Sequence, residues 1–266
     1  MSGPRVRFVI GGVQKGGTTA LARYLGAHPQ VCLPRNKEAH VFDAPCFDEA
    51  WPAEAVDERY RRHFEDPRED RLHGDATPIY LFHPRLVQRI ARYNPAMRWI
   101  ILLRDPVDRA ISHYHMERAR DQESWPLWAA VLLERWRLRR HWQDLSADSP
   151  LRRHSYRARG DYARQLDVLF THLPRDQVLL LDNAELRSAP ASVMSRVYAF
   201  LDLPQPARAP TFEPVFEGRY LRNGNRPARR LLRWLMRREL AQMRLRYGIE
   251  FGQPEEATAG GRDPPW

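Results

Sequence analysis

The sequence has few of the residues that would mark a secreted, membrane-spanning or zinc-binding protein. Only two of its 266 residues are cysteines, Cys32 and Cys46, which argues against a disulfide framework and against a four-thiolate zinc site. No apolar run approaches the ~20 residues that a membrane-spanning helix needs, and residues 1–7 lack the apolar core of a signal peptide. These absences predict a cytoplasmic protein.

Lysine is almost absent although the chain is strongly basic. The formal net charge is +10, and of the 43 basic residues only Lys15 and Lys37 are lysines, so 43 − 2 leaves 41 arginines. Such an excess favours an anionic partner: a nucleotide, a sulfated or phosphorylated acceptor, nucleic acid or an anionic membrane. Because arginine is the general positive charge of this sequence, the two lysines have two interpretations: they mark places that need a compact ammonium group, or they survive by chance in an arginine-biased sequence.

The order of apolar segments predicts an α/β fold. A short buried strand at residues 5–11 precedes a glycine-rich turn and a helix at 18–27, and an apolar strand at 98–103 precedes a turn and a helix at 107–118. This repetition predicts a P-loop-like parallel sheet of about four or five strands flanked by helices. Further elements are predicted at residues 31–33 and 177–181 (strands) and at 84–93, 162–173, 189–201 and 228–247 (helices). Residues 74–80 are predicted to form a turn, and Thr18 or Thr19 is able to cap the helix at 18–27.

Two segments interrupt or follow this pattern. Residues 119–158 contain four tryptophans and a basic amphipathic stretch, which predicts an inserted helical cap. We therefore expect a single domain over residues 1–252 and a disordered tail over 253–266. The basic helix near the C-terminus has three interpretations: it packs on the core, it follows a basic loop at 221–227 that closes over a bound phosphate, or it lies on an anionic membrane.

Residues 11–19, with the sequence GGVQKGGTT, form a candidate anion-binding turn. They follow a predicted strand and open a helix, so backbone N–H groups and a helix N-terminus would face a bound phosphate. Lys15 precedes the glycine pair, whereas in a Walker A loop the lysine follows the glycine. A nucleoside triphosphate kinase is therefore disfavoured.

A second candidate anion site begins where the strand at 98–103 ends. Arg104 takes that position, and Ser112 lies one to two turns into the following helix. Ligand sites of α/β proteins gather at the carboxyl ends of strands, and an arginine with a hydroxyl could hold one phosphate there. Taken alone, the Arg-Asp-Pro sequence is equally typical of a turn with an aspartate N-cap.

Together the two segments resemble the donor motifs of the sulfotransferases that depend on 3′-phosphoadenosine 5′-phosphosulfate (PAPS). FVIGGVQKGGTTAL is similar to the family's 5′-phosphosulfate loop, especially in the branch of bacterial enzymes and glycosaminoglycan-modifying domains. Arg104 and Ser112 match the arginine and serine, eight residues apart, of its 3′-phosphate motif. The resemblance implies a metal-free PAPS site and the product PAP, and no HExxH or CxxC spacing suggests a metal. It assigns donor binding to Lys15, Gly16, Gly17, Thr18, Thr19, Arg104 and Ser112.

The resemblance also supplies a candidate base in NKEAHVFD, residues 36–43. In the glycosaminoglycan branch a glutamate in a Glu-x-His-aromatic context takes the acceptor's proton, and Glu38 matches it. His40 is the competing base, since imidazole titrates near neutral pH, or it orients the acceptor. The plain alternative is a solvated pair of Lys37 and Glu38 on a surface loop.

The segment GDATPIY, residues 74–80, is expected to line the acceptor side. Asp75, Thr77 and Tyr80 are candidate wall residues together with Lys37. Related glycosaminoglycan enzymes often have a lysine near the position of Ala76. Because this chain lacks that lysine, a sulfated polysaccharide acceptor is in doubt.

The sequence thus predicts an enzyme that transfers a sulfuryl group from PAPS, by in-line displacement, to a hydroxyl or amine of a small-molecule, carbohydrate or lipid acceptor. The alternatives are a P-loop phosphotransferase that uses ATP and magnesium, and a non-enzymatic basic module that binds polyanions. We expect no nucleic-acid partner, and peripheral membrane contact stays open. Acceptor identity and oligomeric state are not indicated.

Overall fold

The structure, a computed structural model, describes residues 4–66, 68, 70–206, 211–213 and 226–251. The chain forms two compact units, one of residues 1–103, 145–147 and 165–219, the other of residues 104–144, 148–164 and 220–266. The elements in chain order are β1 (Val6–Gly12), α1 (Thr18–Gly26), β2 (Val31–Cys32), α2 (Ala53–Arg61), β3 (Leu72–Asp75), α3 (Pro84–Tyr93), β4 (Arg98–Leu103), α4 (Pro106–Ala119), α5 (Leu127–Leu132), α6 (Glu134–Leu138), α7 (Pro150–His154), α8 (Tyr162–His172), β5 (Val178–Asp182), α9 (Asn183–Ser188), α10 (Pro190–Phe200), α11 (Arg226–Leu235) and α12 (Arg237–Tyr247).

The first unit is built on a parallel sheet with the strand order β2-β3-β1-β4-β5. In the central strand β1, Val9 pairs with Asp75 of β3 on one side and with Trp99 of β4 on the other. Six of the seven residues of β1 are buried, as expected for a strand covered on both faces. Because all neighbouring strands are parallel, their carboxyl ends lie along one edge of the sheet.

The core of the first unit fills the space between this sheet and helices α1 and α10. Apolar side chains from β1 and β4 pack against the buried side of each helix. Helix α1 has buried residues at Leu21 and Leu25, one turn apart, so its apolar stripe faces the sheet. The cluster includes Phe8, Ile10, Leu21, Leu25, Ile100, Leu102, Val193 and Val197.

The second unit has its own apolar core. It forms where α4, α5 and α11 meet, and its members are Val107, Ala110, Ile111, Tyr114, Ala130, Val131, Tyr156, Leu232 and Met236. Beside it the fully buried Arg109 donates a hydrogen bond to the backbone carbonyl of Tyr156. Buried Glu134 accepts from the amides of Arg157 (2.6 Å) and Ala158 (2.8 Å).

The predicted α/β class, with a parallel sheet flanked by helices, is confirmed, and three local predictions are wrong. Residues 74–80 were expected to form a turn, but Gly74 and Asp75 end strand β3. A threonine was expected to cap α1, but the N-cap is Gly17 and no side chain caps the helix. The helix expected at 228–247 is two helices, because the helical conformation is interrupted at Met236.

Two predicted regions lie wholly or mostly outside the described residues. The tail at 253–266 is one, and the basic loop at 221–227 is the other, of which only the last two residues are described. Inside the expected insertion, residues 119–158, the chain forms the short helices α5, α6 and α7.

Substituting Gly74 tests how tightly β3 and β1 are packed. A Cβ at this position would overlap the ring of Phe8, which is fully buried and has no room to move. We expect Gly74→Ala to lower the free energy of unfolding by about 1–3 kcal/mol, measured by urea denaturation. The matched control is Gly26→Ala, whose Cβ would meet Leu33 at an ordinary 3.5 Å. Equal stability of the two variants would contradict this account of the packing.

Candidate active site

The glycine-rich turn connects the carboxyl end of β1 to α1 in a tightly fixed conformation. The Gly16 amide donates to the Val13 carbonyl (2.8 Å), and the Val13 amide donates to the Leu102 carbonyl of β4 (3.1 Å). A Cβ at Gly16 would lie 2.5 Å from that Leu102 oxygen, so no larger residue fits. Gly17 has φ 99°, a left-handed conformation that favours glycine. The requirement for glycine is therefore steric at position 16 and conformational at position 17.

A side chain that the motif analysis missed holds the turn from the other side. Asn183, the first residue of α9, donates from its amide nitrogen to the Gly16 carbonyl at 2.7 Å. It follows β5 directly, and polar residues after a parallel strand are a known signal of a ligand-site edge. That position was the only available clue, since nothing in the local sequence indicated a partner 167 residues away.

The turn presents the groups that an anion needs. The Ala20 amide, in the first turn of α1, donates a hydrogen bond to the Gly17 carbonyl (3.0 Å). Amides at a helix N-terminus have no partner inside the helix, and the helix dipole adds partial positive charge there. Thr18 is buried and Thr19 is exposed, while Lys15 is half-buried with φ 66°. Lys15, Gly16, Gly17, Thr18 and Thr19 are thus brought together on one short turn.

Arg104 and Ser112 belong to the second unit. The Arg104 carbonyl, directly after β4, accepts a hydrogen bond from the Tyr162 hydroxyl (2.9 Å), and Ser112 is buried on α4. Between them Asp105 caps α4 by accepting from the amides of Val107 (2.9 Å) and Asp108 (3.0 Å). The aspartate N-cap considered from the sequence is therefore present. Phosphate binding by Arg104 and Ser112 stays a prediction.

The loop after β2 gathers three charged side chains around Glu38. The Lys37 ammonium pairs with one carboxylate oxygen of Glu38, and Nε2 of His40 lies 3.2 Å from the other. Nδ1 of His40 lies 2.8 Å from a carboxylate oxygen of Asp43, which is fully buried. Lys37 and His40 have φ values of 65° and 54°, uncommon for residues other than glycine. Asp43, three residues after His40, was not singled out from the sequence.

These contacts decide the charge of the two candidate bases. Burial raises the pKa of Glu38, but hydrogen bonds from His40 and Lys37 outweigh it, and the net shift is downward. Burial lowers the pKa of His40, but hydrogen bonds to Asp43 and Glu38 outweigh it and raise the pKa to about 9. At neutral pH Glu38 is a carboxylate and His40 is a cation. Only Glu38 is then able to accept a proton.

A buried carboxylate at the end of β3 anchors this loop. Asp75 accepts from the hydroxyls of Tyr80 (2.6 Å), Thr77 (2.8 Å) and Tyr60 (2.9 Å), and from the Ala39 amide (3.2 Å). Burial raises the pKa of Asp75, while its four donors oppose that shift.

The same segment makes further contacts with the loop. The Ala76 amide donates to the Lys37 carbonyl (3.3 Å), and the Thr77 hydroxyl accepts from the His40 amide (3.5 Å). Asp75, Thr77 and Tyr80 are fully buried, so the structure does not present them as the acceptor-side wall expected from the sequence. They support the backbone that carries Glu38. Lys37, the fourth residue expected on the acceptor side, does contact Glu38.

The sheet brings the turn and the Glu38 loop to the same edge. The turn follows the carboxyl end of β1, and the Glu38 loop is hydrogen-bonded to the carboxyl end of β3, the neighbour of β1. The Leu81 amide also donates to the Gly11 carbonyl (2.9 Å), which joins the two segments further. The N-terminus of α1 and an ionised carboxylate thus share one edge of one parallel sheet.

Comparison with known proteins agrees with this arrangement. Residues 5–213 match the family model described as the sulfotransferase domain. The chain belongs to the sulfotransferase family. The recognition made from the glycine turn and the Arg104 motif is confirmed, and the family implies PAPS as the sulfuryl donor.

Relatives of this sulfotransferase include solved and curated proteins. A crystal structure of a sulfotransferase from Alicyclobacillus acidocaldarius is 29% identical with a TM-score of 0.74, covering 93% of this chain and 97% of that one. Mouse heparan sulfate glucosamine 3-O-sulfotransferase 6 is 32% identical over 76% of this chain and 55% of its own length. Membrane-associated sulfotransferase kil1 of Dictyostelium discoideum is 36% identical over 41% of this chain and 22% of its own length. The match thus spans about half or less of these two curated relatives.

The protonation of His40 is directly measurable by NMR. We expect its imidazole to titrate near pH 9 in the native protein, because Asp43 and Glu38 both stabilise the cation. In Glu38→Gln and in Asp43→Asn the pKa should fall towards the ordinary ~6.5. A folded-state pKa above the unfolded one stabilises the protein below about pH 6.5, and this contribution is lost as the pH rises through about 9. An imidazole titrating near 6.5 in the wild type would contradict the described geometry.

Proposed function

We propose that this chain transfers a sulfuryl group from PAPS to an acceptor hydroxyl or amine by in-line displacement. The observation that carries the proposal is the shared sheet edge of one compact unit: the Lys15 turn follows β1, and the Glu38 loop, which follows β2, is hydrogen-bonded to the end of β3, the strand between them. Sulfuryl transfer, like phosphoryl transfer, requires the nucleophile, the transferred group and the leaving oxygen to be held in line.

The turn suits the donor side of the reaction. Amides at the N-terminus of α1 would hold the anionic 5′ end of the donor, and the Lys15 ammonium would offset the charge that develops on the leaving phosphate oxygen. Fixed donors of this kind stabilise the transition state because they need no reorganisation as charge develops. The steric fit of Gly16 against Leu102 and the Asn183 hydrogen bond keep those donors in place.

Glu38 suits the role of general base. Its ionised carboxylate would take the acceptor's proton while the acceptor oxygen or nitrogen forms its bond to sulfur and the bond from sulfur to the phosphate oxygen breaks. His40 would act as a charged hydrogen-bond donor that fixes the Glu38 carboxylate, in line with its raised pKa. A base role for His40 would require loss of that proton, which the Asp43 contact opposes.

The acceptor class is proposed from the relatives. The mouse relative is named for transfer to a hydroxyl of glucosamine in heparan sulfate, so a sugar hydroxyl is the first acceptor to test. The absence of a lysine at Ala76 favours an uncharged or less sulfated sugar over heparan sulfate itself. A donor-loaded screen of acceptors by mass spectrometry, scoring the added mass of one sulfuryl group, identifies the substrate.

Donor binding can be tested without an acceptor. We expect PAP to raise the melting temperature in the presence of EDTA, and Lys15→Ala to weaken PAP binding at least tenfold because the ammonium contact is lost. The matched control is Lys37→Ala, the other lysine of the chain, which should keep its affinity for PAP. Stabilisation by ATP and magnesium but not by PAP would instead support the phosphotransferase alternative. Polyanion binding that survives in Lys15→Ala, without any PAP effect, would support the basic module.

The same titration tests the second unit's predicted donor contact. Arg104→Ala should weaken PAP binding but leave binding of adenosine 5′-phosphosulfate, which lacks the 3′-phosphate, unchanged. Equal weakening for both nucleotides would remove Arg104 from the 3′-phosphate.

Turnover by a Glu38 variant tests the base. With the acceptor found in the screen, Glu38→Gln should lower kcat by roughly 10²–10⁴-fold while PAP affinity is retained, because only proton transfer is lost. The control Glu65→Gln changes an exposed carboxylate of the same unit and should leave kcat unchanged. Full turnover in Glu38→Gln would assign the base to His40 or to the solvent.

A further inference from the structure

Helices α5 and α6 of the second unit expose a row of large apolar side chains. Trp128, Leu132 and Trp136 follow one another at intervals of four residues and are 59%, 46% and 58% exposed, and Leu133 beside them is 43% exposed. Residues four apart lie on one face of a helix, which puts Trp128 and Leu132 side by side on α5. Trp136 follows on α6, after the interruption at Leu133. We call Trp128, Leu132, Leu133 and Trp136 the tryptophan face.

The tryptophan face is not the side by which α5 and α6 pack on the core. The opposite side of α5 is already filled, with Ala129, Ala130 and Val131 buried, and Leu138 is buried on α6. A surface helix normally places polar residues on its outer side. Here the outer side is apolar as well, and an exposed apolar patch of this kind marks an interaction surface.

The exposed charge within residues 127–143, the segment that carries the tryptophan face, has one sign. Arg135, Arg139 and Arg140 are exposed on the same segment, and the Arg139 guanidinium lies 5.0 Å from the ring centroid of Trp136. Residues 127–143 are all described, and their one acidic residue, Glu134, is buried and bound to the amides of Arg157 and Ala158. The exposed charge of this segment is therefore entirely positive.

We propose that the tryptophan face docks on an anionic lipid bilayer. The headgroup region of a membrane accommodates tryptophan rings beside charged groups, and anionic lipids attract the neighbouring arginines. A second copy of the chain fits less well, because a symmetric contact would bring two sets of these arginines together. A nucleic acid would pair with the arginines but offers no partner for Leu132 and Leu133.

The association is peripheral. Among the described residues, no helix combines the length and the apolar character needed to cross a bilayer. Helices α5 and α6 have six and five residues, so they would lie at the interface with the two tryptophans inserted. The acceptor would then be presented to an enzyme held at a membrane surface.

Co-sedimentation of the full-length protein with vesicles tests the proposal. We expect binding to vesicles of phosphatidylcholine with phosphatidylserine, weak binding to phosphatidylcholine alone, and a decrease with added salt. The variant Trp128→Ala/Trp136→Ala should bind at least tenfold more weakly. Replacing Arg135, Arg139 and Arg140 with glutamine should weaken binding about a hundredfold at low salt, at roughly fivefold for each charge.

Two control variants separate this surface from general stickiness and general charge. Leu245→Ala removes an exposed leucine of α12, and Arg62→Gln removes an exposed arginine of the first unit. Both should bind vesicles like the wild type. Circular dichroism and the melting temperature show whether each variant is folded, and quenching by brominated lipid gives a second readout. Wild-type fluorescence should be quenched, and the more conservative Trp128→Phe/Trp136→Phe should remove most of that quenching.

Several results would overturn the proposal. Equal binding to both vesicle types, or unchanged binding and quenching in the folded tryptophan variants, would remove the bilayer as the occupant of this face. Sedimentation velocity adds a further arm: a wild-type dimer that becomes monomeric in Trp128→Ala/Trp136→Ala, without vesicle binding, would assign the face to a second copy. Binding of duplex DNA that competes fully with the vesicles would assign it to nucleic acid.

Discussion

The geometry of the candidate active site depends on one buried carboxylate. Asp75 has no exposed surface, and its charge is stabilised by three hydroxyls and one backbone amide. Its place at the end of β3, paired with Val9 of β1, links the Glu38 loop to the strand that carries the Lys15 turn. A buried charge costs several kcal/mol unless it is fully hydrogen-bonded. The arrangement therefore holds only while all four donors stay in place, which fixes the loop as one cooperative unit.

Backbone conformation positions several side chains of the candidate active site. Lys15, Lys37 and His40 all have positive φ values between 54° and 66°. Residues other than glycine rarely adopt such values, and a fold tolerates them where surrounding contacts over-determine the backbone. Around Lys15 those contacts are the hydrogen bonds of the turn to β4 and α9; around Lys37 and His40 they come from the segment after β3.

The sequence predicted the sheet, the family and the Lys15 turn because each depends on local patterns: an apolar strand, a glycine pair and a helix start. It did not predict β3, because glycine and aspartate at positions 74 and 75 are typical of a turn. In the structure these residues form a strand, and the ring of Phe8 packs directly against Gly74. The sequence also could not predict that Asp75, Tyr60 and Asn183 support the site. Their partners are distant in sequence, up to 167 residues for Asn183 and Gly16, and only the folded sheet brings them together.

The near absence of lysine has a practical consequence for chemical labelling. Apart from the amino terminus, the only primary amines of the chain are Lys15 and Lys37, and both lie in the candidate active site. Acylating reagents, which usually modify many lysines over a protein surface, would here be directed to the candidate active site. Under the proposed function, coupling through amines would block the enzyme, whereas the 41 guanidinium groups would not react under the same conditions.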